Sequence, residues 1–183
     1  MKAPEIIKPA AKAAVPEAIN HIYFIADRRD KIEVLRKLAR IMNPDKAIVF
    51  INKGEEAELA ASKLKYHHLK AEAIHGASKK LERKKAMDDF KEGRLQLLVA
   101  SDLAARGLDI SGVTCIFSLD MPEDPMLYLH RAGRTGRAGQ SGTVVSIISE
   151  YEIPLVKSCE NALKISLSPK AMYMGNIVDV KVK

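Results

Sequence analysis

Short apolar, β-branched runs alternate with segments of helical period along almost the whole chain. HIYFIA (21–26), AIVFIN (47–52), a run at 71–75, LQLLVA (95–100), VTCIFSL (113–119) and GTVVSII (142–148) read as strands. Their apolar character is continuous rather than alternating, which marks strands covered on both faces. Between the first two runs, 28–42 places Ile32, Leu35, Leu38 and Met42 at helical spacing. Further helices are expected over 55–66, from Ser78 to Phe90 with Gly93 as the stop, over PMLYLHRAG (125–133) and over 151–163. This order predicts an α/β fold, an open parallel sheet with helices on both faces. The 183 residues suit one ordinary domain, taken as 19–165. Residues 1–18, rich in Ala, Pro and Lys, read as a linker or tail. Residues 166–183 read as a C-terminal extension, with IVDVKV (177–182) as a candidate last strand.

Open parallel sheets bind ligands at the carboxyl ends of their strands. The polar, Gly-containing stretches fall there: NKG (52–54), HGAS (75–78), SDLAARGLD (101–109) and DMPED (120–124). An excess of 30 Lys+Arg over 23 Asp+Glu, a net charge of +7, fits an anionic partner but does not by itself specify one. No apolar run approaches the ~18 residues that cross a bilayer, and the N-terminus lacks the apolar core of a secretory signal. Cys115 and Cys159 stand in no ligand spacing and read as buried thiols of a reducing compartment, here the cytoplasm. His67, His68 and His75 lack metal spacing and read as surface or loop residues, so no metal site is expected.

Three stretches could carry chemistry. In SDLAARGLD, Ser101 and Asp102 end a strand, Arg106 and Gly107 turn the chain, and Asp109 adds a carboxylate. Backbone N–H groups and a hydroxyl there could grip phosphate, with Asp109 on a sugar hydroxyl. An ordinary strand-to-loop turn with an Asp cap fits the same residues. HRAGRTGRAG (130–139) sets Arg131, Arg134 and Arg137 three apart, interleaved with Gly133, Gly136 and Gly139. Guanidinium is planar, always charged and bidentate toward phosphate, and glycine lets a phosphate come close. A solvated basic helix end is the alternative, and the interleaved glycines favour the anion site. ASKKLERKKAMDDFKEG (77–93) clusters Lys79, Lys80, Arg83 and Lys84 away from Ala86, Met87 and Phe90, with Ser78 as candidate N-cap. That suits a nucleic-acid backbone, and equally the charged outer face of an amphipathic helix. The sequence holds no GxxxxGK[ST] cradle and no Asp-Glu pair after a strand, so it has arginines for a phosphate but no P-loop cradle of its own. It has no tryptophan and only 5% aromatic residues, which argues against readout by base stacking.

At these residues the chain resembles the second RecA-like domain of DEAD-box RNA helicases, from about residue 20 to 150. AIVFIN resembles motif IV, HGASKKLERKKAMDDFKEG motif IVa, SDLAARGLDI motif V and HRAGRTGRAG motif VI. The resemblance implies a RecA-like sheet and a divided machine. A first RecA-like domain carries the P-loop and holds ATP with Mg²⁺; the second supplies arginine fingers and half of the RNA groove. ATP and single-stranded RNA close the two domains, and bending one RNA strand disrupts a short duplex. By resemblance Arg134 and Arg137 would be the fingers on the γ-phosphate, and Arg131 would support the domain interface. His130 would contact the Asp-Glu-Ala-Asp segment of the first domain. Asp109 would meet the ATP ribose, with Gly107 keeping the loop tight. Ser101 and Arg83, helped by the turn at Gly76 and by Lys80, would contact RNA phosphates without reading bases. Lys80 stands where Gln is usual, Lys53 where Thr is common, Ser101 where Thr is usual and Leu119 where Tyr is frequent. The resemblance further implies an inactive, monomeric chain when alone. Two other readings remain open: an RNA-binding adaptor without catalysis, and the matching domain of a DNA helicase.

Overall fold

The computed structural model describes residues 18–108 and 110–180. The strands are β1 (Ile19–Ile25), β2 (Ala47–Phe50), β3 (Ala71–Ile74), β4 (Leu97–Ala100), β5 (Cys115–Ser118), β6 (Gly142–Ile148), β7 (Ser168–Tyr173) and β8 (Asn176–Asp179). The helices are α1 (Lys31–Met42), α2 (Gly54–Tyr66), α3 (Lys80–Lys91), α4 (Asp102–Ala105), α5 (Pro125–Ala132) and α6 (Ile153–Leu163). The strands form one sheet in the order β3-β4-β2-β5-β6-β1-β7-β8, parallel throughout except for the antiparallel β7–β8 hairpin.

β2, β4 and β5 are buried at every position, which is why they read as unbroken apolar runs. Ile48 and Phe50 of β2 face one core, shared with Ala86 and Phe90 of α3, Tyr128 of α5 and Cys159 of α6. Ala47 and Val49 face the other, with Leu35 and Leu38 of α1 and Ala60 and Leu64 of α2. A fully buried side chain of the size of Phe90 stabilises the fold by about 1.5–3 kcal/mol. Burial pushes the thiols of Cys115 and Cys159 up to about 12. Among the described residues no helix is long and apolar enough to cross a membrane.

Local chemistry sets the element ends. α1 stops at Asn43, whose left-handed backbone (φ 40°) lets its N–H reach the Ala39 carbonyl. α5 starts with Pro125 in its first turn, where a missing N–H is harmless, and Asp124 accepts from the Met126 N–H. Two expectations are corrected here. α3 begins at Lys80, not Ser78: the Ser78 hydroxyl accepts from the His75 N–H at 3.0 Å and so closes a turn, while Glu82 reaches back to the Lys79 N–H. The stretch 101–107 is not only a turn, since it contains the single helical turn α4 with Ser101 as N-cap. The C-terminal stretch forms a hairpin, and its first strand, absent from the sequence reading, lies parallel to β1. Residues 1–17 and 181–183, expected as a tail and as the end of a strand, lie outside the described residues.

Candidate functional site

Asn52 follows β2, α4 follows β4 and Asp120 follows β5, so the sheet delivers all three to one end. Arg131 of α5 joins them. Its Nε and one terminal nitrogen donate to both oxygens of Asp102, at 2.8 and 2.6 Å. The same nitrogen donates to Asn52 Oδ1 at 2.9 Å, and the other donates to the Asp120 carbonyl at 2.8 Å. The guanidinium lies over the Phe50 ring, 5.2 Å from its centre, and the residue is 1% exposed. A buried cation must be paired, and Asp102 pairs it bidentately. The expectation that all three arginines converge on one anion is therefore corrected: Arg131 turns inward and ties strand ends together.

Arg134 and Arg137 take a different course. Arg134 donates to the Leu108 carbonyl at 2.9 Å, and Arg137 Nε donates to the Gly133 carbonyl at 2.9 Å. Both line a cleft of about 280 Å³ with Ile110, Gly112 and Gln140. Arg134 also lines an adjoining cleft of about 300 Å³ with Arg106, His130 and Arg131. Burial, and then the like charge of Arg137, hold the Arg134 guanidinium below its ordinary value. An anion in the cleft would relieve that repulsion. The smaller cleft offers the guanidinium groups of Arg134 and Arg137 with the Ser111 and Gln140 side chains, a donor set suited to phosphate oxygens.

The turn that carries these arginines is fixed from within. Thr135, 1% exposed, donates to the Val113 carbonyl at 2.7 Å. Gly136 has φ +66°, and a Cβ there would lie 2.6 Å from Ile19 Cγ1. The glycines of HRAGRTGRAG were expected to admit a phosphate; at Gly136 the need for glycine comes from the turn and its packing.

The 101–108 segment links this cleft to the basic helix α3. Ser101 Oγ accepts from the Ala104 N–H at 3.3 Å, and Arg83 donates to the Ala104 carbonyl at 2.6 Å. Arg83 and Ser101 thus meet at one residue of α4. Lys80, one turn before Arg83, is exposed. Gly107 has φ +70°, which favours glycine, whereas Gly76 is open on all sides and has no such backbone demand. His130 is exposed on the rim, and Asp109 lies outside the described residues.

Sequence reasoning did not find Asn52, Asp102, Asp120, Lys31 or Glu152 as parts of this assembly. Lys31, 4% exposed, donates to Glu152 at 2.6 Å and to the Leu119 carbonyl at 2.8 Å. One signal was legible: Asn52 ends one predicted strand, Asp120 directly follows another, and Asp102 stands two residues after a third.

Residues 30–139 match the helicase conserved C-terminal domain. The chain is 40% identical over 164 residues to the DEAD-box ATP-dependent RNA helicase CshA of Bacillus subtilis, covering 90% of this chain and 33% of CshA. It spans less than half the length of the curated relatives it matches. Its fold is similar to E. coli DEAD-box protein SrmB, solved bound to regulator of ribonuclease activity A, with TM-score 0.81, 30% identity and coverage of 90% of this chain and 96% of that one. S. cerevisiae Dbp5, solved bound to RNA and ADP BeF3, gives TM-score 0.78 at 30% identity over 84% of this chain and 41% of that one. With the sheet and the four motifs in place, the chain belongs to the helicase C-terminal domain family, as a C-terminal RecA-like domain of the DEAD-box RNA helicase type.

Proposed function

We propose that this chain is the arginine-bearing half of an ATP-dependent RNA helicase, working in the cytoplasm against a first RecA-like domain that holds ATP and Mg²⁺. The observation that carries the reading is the setting of Arg134: tied to the Leu108 carbonyl, facing a cleft, with Arg137 raising the local positive charge. Bound ATP supplies the phosphoryl group that is transferred to water. Arg134 and Arg137 neutralise charge that develops on it, an effect worth about 10³–10⁵ in rate. Arg131 does not reach across; it holds the strand ends from which the cleft is built. Asp109 meets the ribose, with Gly107 shaping its loop, and His130 meets the acidic motif of the first domain. Leu81, Leu103 and Met126 stay exposed at the starts of α3, α4 and α5, which suits docking of a second body there.

RNA lies along α3 and α4. Arg83, Lys80 and the Ser101 hydroxyl hold phosphates, and Gly76 lets the backbone approach. A Cβ at Gly76 would touch nothing in this chain, so packing within the chain does not demand glycine there. Phosphate contacts without base contacts give binding that is independent of sequence. The likeness to Dbp5 with RNA and ADP BeF3 supports both ligands.

The test joins this chain to a P-loop-bearing first domain and measures ATP hydrolysis with and without RNA. The joined protein is expected to turn over ATP in an RNA-dependent way, and the chain alone to show none and to remain a monomer. Turnover by the chain alone, or equal activity of wild type and Arg134→Ala when joined, overturns the reading. The second outcome, with RNA binding intact, favours an RNA-binding adaptor.

A further inference from the structure

The buried pair Lys31–Glu152 lies outside the four motifs, yet it touches the same strand ends as Arg131. Lys31 opens α1, and Glu152 precedes α6, 121 residues away. Glu152 is 7% exposed and accepts three times: from Lys31, from the Met121 N–H at 2.9 Å and from the Ser149 N–H at 2.7 Å. Lys31 also donates to the Leu119 carbonyl and stands 3.7 Å from Asp120 Oδ1. Asp120 continues the chain. Its Oδ2 accepts from the Asn52 N–H at 3.2 Å, and its carbonyl accepts from Arg131. The bonds run without a break from Glu152 through Lys31 and residues 119–121 to Asn52, Arg131 and Asp102.

A buried ion pair is a poor source of net stability, because desolvation of both charges offsets their attraction. It is a good source of fixed geometry, since each charge confines its partners. Here those partners are the backbone of residues 119–121, the loop after β5 that presents its carbonyl to Arg131.

We propose that Lys31 and Glu152 are positioning residues for the arginine site: they set the loop after β5, which sets Asn52 and Arg131 and, through α5, the turn bearing Arg134. The proposal rests on the helicase reading for its effect on rate, but its geometric part stands apart from it. A misplacement of about 1 Å at a distance from the chemistry can cost about 10²-fold in rate.

The test uses the full chain and the double variant Lys31→Met with Glu152→Gln, which leaves no lone buried charge and keeps an acceptor for one backbone N–H. Hydrogen exchange of the Arg131 Nε–H, which donates to Asp102, is followed by nitrogen-15 NMR. The expected result is a folded, cooperatively melting protein whose Arg131 Nε–H exchanges about tenfold faster or more. Glu152→Asp, which keeps the charge but draws the carboxylate back from the Met121 N–H, is the second variant, with the same expected shift should the double variant not fold. Leu64→Ala, a core truncation near the end of α2 in the other core, is the control and leaves that exchange rate unchanged. Unchanged exchange in either folded Glu152 variant overturns the proposal, as does equal acceleration in the control. Joined to a P-loop-bearing domain, the double variant is expected to lose kcat for RNA-stimulated ATP hydrolysis by about tenfold or more, with KM for ATP moving less. If Arg134→Ala does not slow the joined protein, the helicase reading fails, while the exchange result still decides the positioning role.

Discussion

Two glycines of this chain separate the needs of folding from the needs of binding. Gly136 combines φ +66° with a Cβ position 2.6 Å from Ile19 Cγ1. Gly136→Ala is expected to destabilise the chain by about 1–3 kcal/mol, read as a lowered urea midpoint at constant slope. Gly76→Ala is expected to stay within about 0.5 kcal/mol of wild type, because the added methyl meets open space. Its effect should fall on RNA affinity instead. A third residue, His21, makes a pH prediction. It is 6% exposed, and its Nδ1 lies 2.8 Å from the Tyr128 hydroxyl. Burial lowers it from 6.5 to about 4. The unfolded chain therefore takes up the proton first, and stability falls as pH drops through the interval between those values. Above it His21 is neutral in both states and contributes no slope. Urea midpoints measured across the interval should decline for wild type, and decline less for His21→Gln.

At the scale of elements, the seven-residue strands, the buried strands and the longer helices were legible because burial imposes a period over many residues. β2, β4 and β5 announce themselves as unbroken apolar runs. α4, at four residues, is too short to show a period, and a cap decides it. β7 escaped because SPKAMY carries neither alternation nor β-branching, and it pairs with β1 at only two positions. The same limit applies to the site. The motif stretches stood out in the chain, but only the sheet order shows that Asn52, Asp102 and Asp120 meet at Arg131. Asp102, 29 residues from Arg131 in sequence, is the clearest case. Asp102→Ala leaves a guanidinium buried without its carboxylate and is expected to destabilise the chain by about 3–5 kcal/mol. Thermal and urea unfolding of the variant check this. Replacing Arg131 and Asp102 together by apolar residues should restore part of the loss, since no lone charge remains.

At the scale of the whole molecule, the residues proposed for RNA and those proposed for the nucleotide share the 101–108 segment at one sheet end. Arg83 reaches it from α3, Arg131 from α5 and Arg134 from the turn that follows α5. The RNA side should act through phosphates. Affinity for single-stranded RNA is expected to fall linearly with salt on logarithmic axes, and each of Lys80→Ala and Arg83→Ala should reduce the slope by about 0.7. Equal slopes for wild type and both variants would remove these residues from the RNA contact. The nucleotide side carries the central claim. Its most direct test is single-turnover hydrolysis at saturating ATP and RNA, using this chain joined to a P-loop-bearing domain and comparing wild type with Arg134→Lys and Arg134→Ala. The account predicts a rate loss of about 10³-fold or more for alanine, a large loss for lysine because the planar fork is gone, and unchanged RNA affinity. Rates for all three within a few-fold of one another would contradict it.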